Sequence, residues 1–195
     1  METYGNHDIQ EVPLRTPFFR SQVEVFLAAN GLRLETLDAY YAISDAEGNL
    51  LAGAGICGDV IKCAAVDAKA RSCGLLSPLI SHIISVGAAR GILNLKVFTK
   101  PEYEAVFGSM GFRKLAQAPE AVLMEKGRGL DRYCAYLRQL ASSSCPAPTA
   151  HSRIGVVVMH ANPFTLGHQY LLQQAAQRTD RLFVIPVKED VSAFP

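Results

Sequence analysis

Three residues near the carboxyl end, Thr165, Gly167 and His168, have the types and spacing to act on a phosphate group. They close the string His160-Ala161-Asn162-Pro163-Phe164-Thr165-Leu166-Gly167-His168, which follows an apolar run and precedes a helical pattern. A glycine at the start of a helix lets a phosphate come close to the backbone. The helix terminus itself offers unpaired N–H groups and positive dipole character. Thr165 can donate through its hydroxyl. His168 can set an imidazole against an α-phosphate or a departing pyrophosphate, where charge grows in the transition state. The same Thr and His could instead do no more than cap the helix. Lys188 directly follows the next apolar run. There it could steady phosphates or a carboxylate, at the sheet edge where open α/β folds bind ligands, or be an ordinary solvated lysine.

A second string, Arg71-Ser72-Cys73-Gly74-Leu75-Leu76, lies between an expected strand and an expected helix. Backbone N–H groups at that helix start would hold a pyrophosphate, with Arg71 adding charge; a plain surface turn is the other reading. Cys73 stands where a helix terminus lowers thiol pKa, but no partner base is apparent, and a small loop residue explains it. His82 falls mid-helix, structural or solvated. The five cysteines, Cys57, Cys63, Cys73, Cys134 and Cys145, are odd in number and form no C-x-x-C pair. They read as reduced thiols of a cytosolic protein, and no metal site is expected.

The elements that must position these residues follow from periodicity. Phe19, Val23, Phe26 and Leu27 share one face of a helix over 18–30, stopped by Asn30-Gly31. Strand patterns at 38–44, 50–56 and 60–66 form an antiparallel meander, turned at Asp45 to Asn49. Apolar residues at helical spacing mark 75–90, with Pro78 near the start, where a missing donor is tolerated. A strand at 93–98, a short helix at 102–110 and strands at 112–115 and 121–125 close the unit. A helix over 130–140 leads to the linker Ser142-Ser143-Ser144-Cys145-Pro146-Ala147-Pro148-Thr149, whose composition resists packing. The run 154–159 (IGVVVM) reads as a parallel strand covered on both faces. A helix over 168–178, with Leu171, Leu172, Ala175 and Ala176 inward, and a strand over 182–187 complete a βαβ unit. One such unit cannot build a doubly wound sheet, so this domain is expected to be incomplete. The expected division is 1–127, a helix and linker over 128–150, and 151–195.

Bulk composition narrows the function classes. The 195 residues carry 19 basic against 18 acidic side chains, a net charge of +1, which points to neither nucleic acid nor a membrane surface. The first residues hold acids and no apolar core, unlike a secretory signal, and no run nears the ~18 apolar residues of a membrane span. A cytoplasmic protein is expected.

Residues from about 36 to 125 resemble an acetyltransferase of the GNAT type. Arg71 and Gly74 match the first and fourth positions of that family's pyrophosphate loop, R-x-x-G-x-G/A. Many such enzymes carry at the position of Phe107 a tyrosine that protonates the leaving thiolate; Phe107 cannot. The strand, Pro-containing loop and T-x-G-H helix start resemble the nucleotidyltransferase superfamily. Together with VKEDVSAFP and the run Phe98-Thr99-Lys100-Pro101-Glu102-Tyr103 before Phe107 and Gly111-Phe112, they narrow the resemblance to citrate lyase ligases. Fold class is thus expected to be α/β, a GNAT-like α+β domain followed by an incomplete Rossmann-like nucleotidyltransferase βαβ unit.

The resemblance implies an acid–thiol ligase. ATP, with Mg2+, would activate acetate as acetyl-adenylate; the acetyl group would pass to the thiol of a dephospho-CoA-derived prosthetic group on the acyl carrier subunit of citrate lyase. His168 and Thr165 would be catalytic. Asn162, Pro163, Phe164, Thr165, Gly167, His168 and Lys188 would bind ATP, and Arg71, Cys73, Gly74 and Leu75 the CoA-like group. No tightly bound cofactor is expected. A GNAT-type transferase using acetyl-CoA, or an inactive fragment that binds the carrier, are the alternatives.

Overall fold

The computed structural model describes residues 8–144 and 149–187. Two compact units divide the chain, 1–134 and 135–195.

The first unit is built on a seven-stranded sheet in the order β1-β2-β3-β4-β5-β7-β6. Its strands are β1 (Ile9–Glu11), β2 (Ala39–Ser44), β3 (Leu50–Cys57), β4 (Val60–Val66), β5 (Leu95–Thr99), β6 (Arg113–Gln117) and β7 (Val122–Lys126). Helix α1 (Pro17–Ala29) covers one face with Val23, Phe26 and Leu27 against Tyr40, Ala42, Leu50, Cys63 and Ala65. The opposite face packs on α2 (Leu76–Ala89) through Leu79, Ile80 and Ile83, and on Phe107 of α3 (Glu104–Ser109). Alternation along β2 divides Tyr40 and Ala42 from Ala39, Tyr41 and Ile43, as the two-residue strand period requires. The sheet packs closely at β3. A Cβ on Gly53 would overlap the Tyr40 hydroxyl, and one on Gly55 the Leu37 side chain.

All pairings in this sheet are antiparallel except β4 with β5. That parallel pairing spans only Val60↔Lys96 and Ile61↔Val97. It stops where β4 bulges. Gly55 pairs with Lys62 but Gly53 pairs with Ala65, so β4 holds one residue more than β3 over that stretch. Cys63 takes up the extra length at φ 52°, a left-handed conformation costly for a side-chain-bearing residue. The bulge also inverts the alternation: Ile61 faces the α2 core, whereas Cys63 and Ala65 face α1. Beyond it, β4 and β5 diverge.

Two elements were not expected from sequence. β1 is too short to show a period, and 68–73, read as a loop, is a 3-10 turn (Ala68–Cys73) capped by Asp67, whose carboxylate accepts from the Lys69 N–H.

Helix α4 (Gly129–Ser144) spans the division between units. In the second unit β8 (Ile154–Met159) and β9 (Arg181–Pro186) pair in parallel over six residues, with α5 (Leu166–Gln177) between them in sequence. Two expectations need correction here. β8 is not covered on both faces: Ile154, Val156 and Val158 are exposed, while Gly155, Val157 and Met159 are more shielded. Leu171 and Ala176 are also exposed, and α5 buries no residue fully. Two strands at ~4.8 Å spacing are narrower than a helix ~10 Å across, so neither element is fully covered. The 168–178 helix begins two residues earlier, at Leu166. Among the described residues no helix is long and apolar enough to cross a membrane.

Candidate functional site

At the second unit's site, Thr165 is the N-cap of α5 in extended conformation. Its Oγ1 accepts from the His168 N–H at 3.4 Å, and the Thr165 N–H donates to His168 Nδ1 at 3.0 Å. Oγ1 and Nδ1 lie 2.9 Å apart. This is a capping box in which histidine takes the place usually held by Glu or Gln. A backbone donor aimed at Nδ1 makes that nitrogen the acceptor, so the neutral ring carries its proton on Nε2. Capping and phosphate binding are therefore compatible: the cap orients the ring, and Nε2–H remains a donor. The Leu166 and Gly167 N–H groups, in the first turn, have no intrahelical acceptor.

Among the described residues nothing demands a glycine at 167. Of these, a Cβ there would meet only Thr165 Oγ1, at an ordinary 3.6 Å, and the residue needs no positive φ. At Gly155, by contrast, an added Cβ would crowd Thr179. The open space above Gly167 lies beside the uncommitted N–H groups. Asn162, Pro163 and Phe164 form the exposed loop from β8 into this cap, with a cis Asn162–Pro163 peptide and the Phe164 ring 5.7 Å from that of His168. The Val187 N–H donates to the Met159 carbonyl at 2.9 Å, which brings the end of β9 beside the start of this loop. Lys188 lies outside the described residues.

The first unit holds its own concavity, in the gap that β4 and β5 open. An inner cavity of about 260 Å³ is lined by Arg71, Gly74, Leu75 and Leu76, by Ala64 to Val66 of β4, and by Tyr103, Val106 and Phe107 across the gap. It adjoins an outer one of about 570 Å³ that reaches Lys62, Cys63, Lys100, Glu102 and Glu120. Gly74, at φ 68°, turns the 3-10 segment into α2, whose first turn carries no side-chain cap. The uncapped N–H groups of α2 and the Arg71 guanidinium thus belong to the same inner cavity. Leu76 lines its wall, apolar where the GNAT pattern has a small residue. Cys73 is half-buried and is not among the lining residues. His82 packs edge-on against Tyr41 at 5.0 Å, a structural role.

In the outer cavity, Lys62 donates to Glu35 at 2.6 Å, and this bond raises the lysine pKa. Burial pushes the Cys63 thiol up, so it stays protonated, and its Sγ lies 3.4 Å from the Arg33 carbonyl. Sequence reasoning missed Thr99, Tyr103 and the 64–66 strand edge as lining residues. The bulge that exposes that edge has no signature in the residue types. Tyr103, in a Pro-initiated turn after a strand, was open to discovery.

The family described as citrate lyase ligase C-terminal domain matches residues 154–195, the segment that starts at β8. The [Citrate [pro-3S]-lyase] ligase of Escherichia coli K12 is 37% identical over 194 residues. The chain is a relative of the citrate lyase ligases. The enzyme of that name from Klebsiella pneumoniae is 40% identical over 177 residues. These alignments cover 98% and 90% of this chain but 53% and 50% of the two ligases, so the chain spans about half the length of the ligases it matches. Solved structures resemble the first unit in fold alone. An acyl-CoA N-acyltransferase from Pseudomonas aeruginosa aligns at TM-score 0.50 and 15% identity, covering 62% of this chain and 99% of its own. A candidate N-acetyltransferase from Lactobacillus plantarum aligns at 0.52 and 13%, covering 61% and 96%.

Proposed function

We propose that this citrate lyase ligase relative takes part in the ATP-dependent acetylation of a carrier-borne thiol. The reading has two half-reactions. In the first, acetate attacks the α-phosphate of ATP, forming acetyl-adenylate and releasing pyrophosphate. In the second, a thiol attacks the acetyl carbonyl, the C–S bond forms, the mixed anhydride breaks, and AMP leaves.

The observation that carries the proposal is the reciprocal Thr165–His168 cap beside Gly167. It presents Nε2–H of His168 and the first-turn N–H groups at one helix terminus, with space where a side chain would stand. Donors fixed before the reaction stabilise developing phosphate charge without reorganising. Asn162, Pro163 and Phe164 would flank the nucleotide, and Lys188 would follow β9. Mg2+ enters with ATP as part of the substrate. The thiol would be that of a dephospho-CoA-type group on the citrate lyase acyl carrier. Its pyrophosphate would lie at the α2 terminus near Arg71, Gly74 and Leu75, with Cys73 outside the cavity lining, and its pantetheine arm in the gap between β4 and β5.

Acetate-dependent exchange of pyrophosphate into ATP tests the first half-reaction. Exchange by a version extended to the length of the ligases, lost in its His168→Ala form, is expected; equal exchange in both forms would refute the assignment. One observation favours a second reading: the paired cavities also suit transfer from acetyl-CoA. Acetyl transfer from acetyl-CoA in the absence of ATP would establish that reading instead.

A further inference from the structure

The two cavities in the first unit share a boundary made by the 64–66 edge of β4, Arg71, Thr99, Tyr103 and Phe107. Any ligand whose anionic end sits at the α2 terminus and whose other end reaches the outer cavity must cross this boundary. Proton-bearing side chains on it are few. Arg71 belongs to the anionic end, and Thr99 is an aliphatic hydroxyl, a weaker hydrogen-bond donor to an anion than the more acidic phenol. Phe107 is buried and has no polar atom. Tyr103 remains. It stands in the turn Pro101–Tyr103, directly before α3 and one helical turn ahead of Phe107. Its ring packs, half-buried, against the α2 core, and the residue lines both cavities. Its hydroxyl makes no hydrogen bond to any described residue, although its backbone N–H is tied to the Lys100 carbonyl.

We infer that Tyr103 is the thiol-handling residue of this cleft, its hydroxyl donating to the sulfur of a CoA-type ligand and favouring the thiolate. This rests on the reading that the cleft holds such a ligand. A phenol O–H is a donor suited to an anion, and a hydrogen bond to a charged acceptor is about twice as strong as one between neutral groups. The thiolate, not the thiol, is the nucleophile toward an acyl carbonyl. In the transfer step the sulfur forms the bond to the acetyl carbon as the acyl–oxygen bond to the phosphate breaks. The thiol proton goes to solvent, and Tyr103 keeps its own. The other charged groups facing the two cavities are Arg71, Lys62 held by Glu35, Lys100, Glu102 and Glu120. Their signs offset one another, which leaves the donor at Tyr103 as the local bias toward the anion.

Calorimetric titration of the full chain with dephospho-coenzyme A and with its S-methyl thioether, at pH 6.5 and pH 9, tests the inference. A site that stabilises the thiolate binds the thiol more tightly as pH rises, by roughly tenfold for each unit by which it lowers the thiol pKa. The expected result is an increase on the order of tenfold for the thiol, beyond any change seen for the thioether. In Tyr103→Phe that extra increase should vanish. Equal pH dependence for thiol and thioether in the wild-type chain would overturn the inference, whether or not the variant folds. So would an unchanged extra increase in a folded Tyr103→Phe. Absence of binding of either ligand to the wild-type chain would overturn the cleft reading itself, and the role of Tyr103 with it.

Discussion

A glycine can be kept for the chain's own packing or for something outside it, and Gly53 and Gly167 represent the two cases. At Gly53 a methyl group would strike the buried Tyr40 hydroxyl, which has no hydrogen-bond partner among the described residues and whose pKa burial pushes well above the usual phenol value. Gly53→Ala should therefore destabilise the first unit by about 1–3 kcal/mol, the usual cost of overpacking. Urea titration monitored by far-UV circular dichroism would measure it. At Gly167 the methyl group would find only an ordinary contact. Gly167→Ala should leave the fold intact or gain about 0.5–1 kcal/mol, as alanine does over glycine in a helix. Nucleotide binding should still fall, because the added atom occupies the space left for a phosphate. A variant that gains stability and keeps its ATP affinity would place the phosphate elsewhere. Thr165→Ala separates the cap from the chemistry in another way. It removes an N-cap worth about 1 kcal/mol and one of the groups holding the His168 ring. Thr165→Ser should restore both, read as thermal melting alongside acetate-dependent exchange.

Among the elements, the meander and α2 were legible because each buries one regular face. The 60–66 and 154–159 strands have the bounds their apolar runs predict. What could not be read was the irregularity that makes the cleft. The β4 bulge depends on Cys63 adopting a conformation its residue type disfavours, and on β3 pairing that fixes the register around it. Local composition carries neither. Residues at helix termini, such as Thr165 and Gly74, stand where the sequence placed them, since terminus chemistry is written in adjacent residues. Those gathered from different strands and turns, such as Tyr103 with Ala64, could not be read there. The β2–β3 turn shows how local wiring produces a measurable pH effect. Asp45 accepts from the Asn49 side chain at 2.9 Å and from the backbone N–H groups of Asn49 and Glu47, at 2.7 and 3.1 Å. These bonds, that from the Asn49 side chain foremost, lower its pKa. A carboxyl whose folded pKa lies below its unfolded one contributes fully above the ordinary carboxylate value. That contribution is lost as pH falls through the folded pKa. Asp45→Ala should therefore lower the melting temperature at neutral pH, and the gap to wild type should close in acid. A gap of constant size would mean the carboxylate's charge is not what the turn uses.

For the molecule as a whole, the proposed chemistry is divided between two units, with phosphate groups of different substrates at two different helix termini. Arg71 and the α2 terminus belong to the first unit, and Thr165, Gly167 and His168 to the second. Substitutions in groups that share no partner add independently. This gives the two-step reading a sharp expectation in a version extended to the ligases' length. Arg71→Ala should leave acetate-dependent exchange unchanged while slowing acetyl transfer from preformed acetyl-adenylate to dephospho-coenzyme A. His168→Ala should do the reverse, lowering exchange on the order of a hundredfold or more, as expected for loss of one transition-state donor. The double variant should show both losses at their single-variant sizes. If either substitution impaired both half-reactions, one composite site would be serving both, and the division of labour between units would have to be abandoned. If Arg71→Ala impaired neither, the cleft between β4 and β5 would have no part in ligation, and transfer from acetyl-CoA would become the reading to pursue for the first unit.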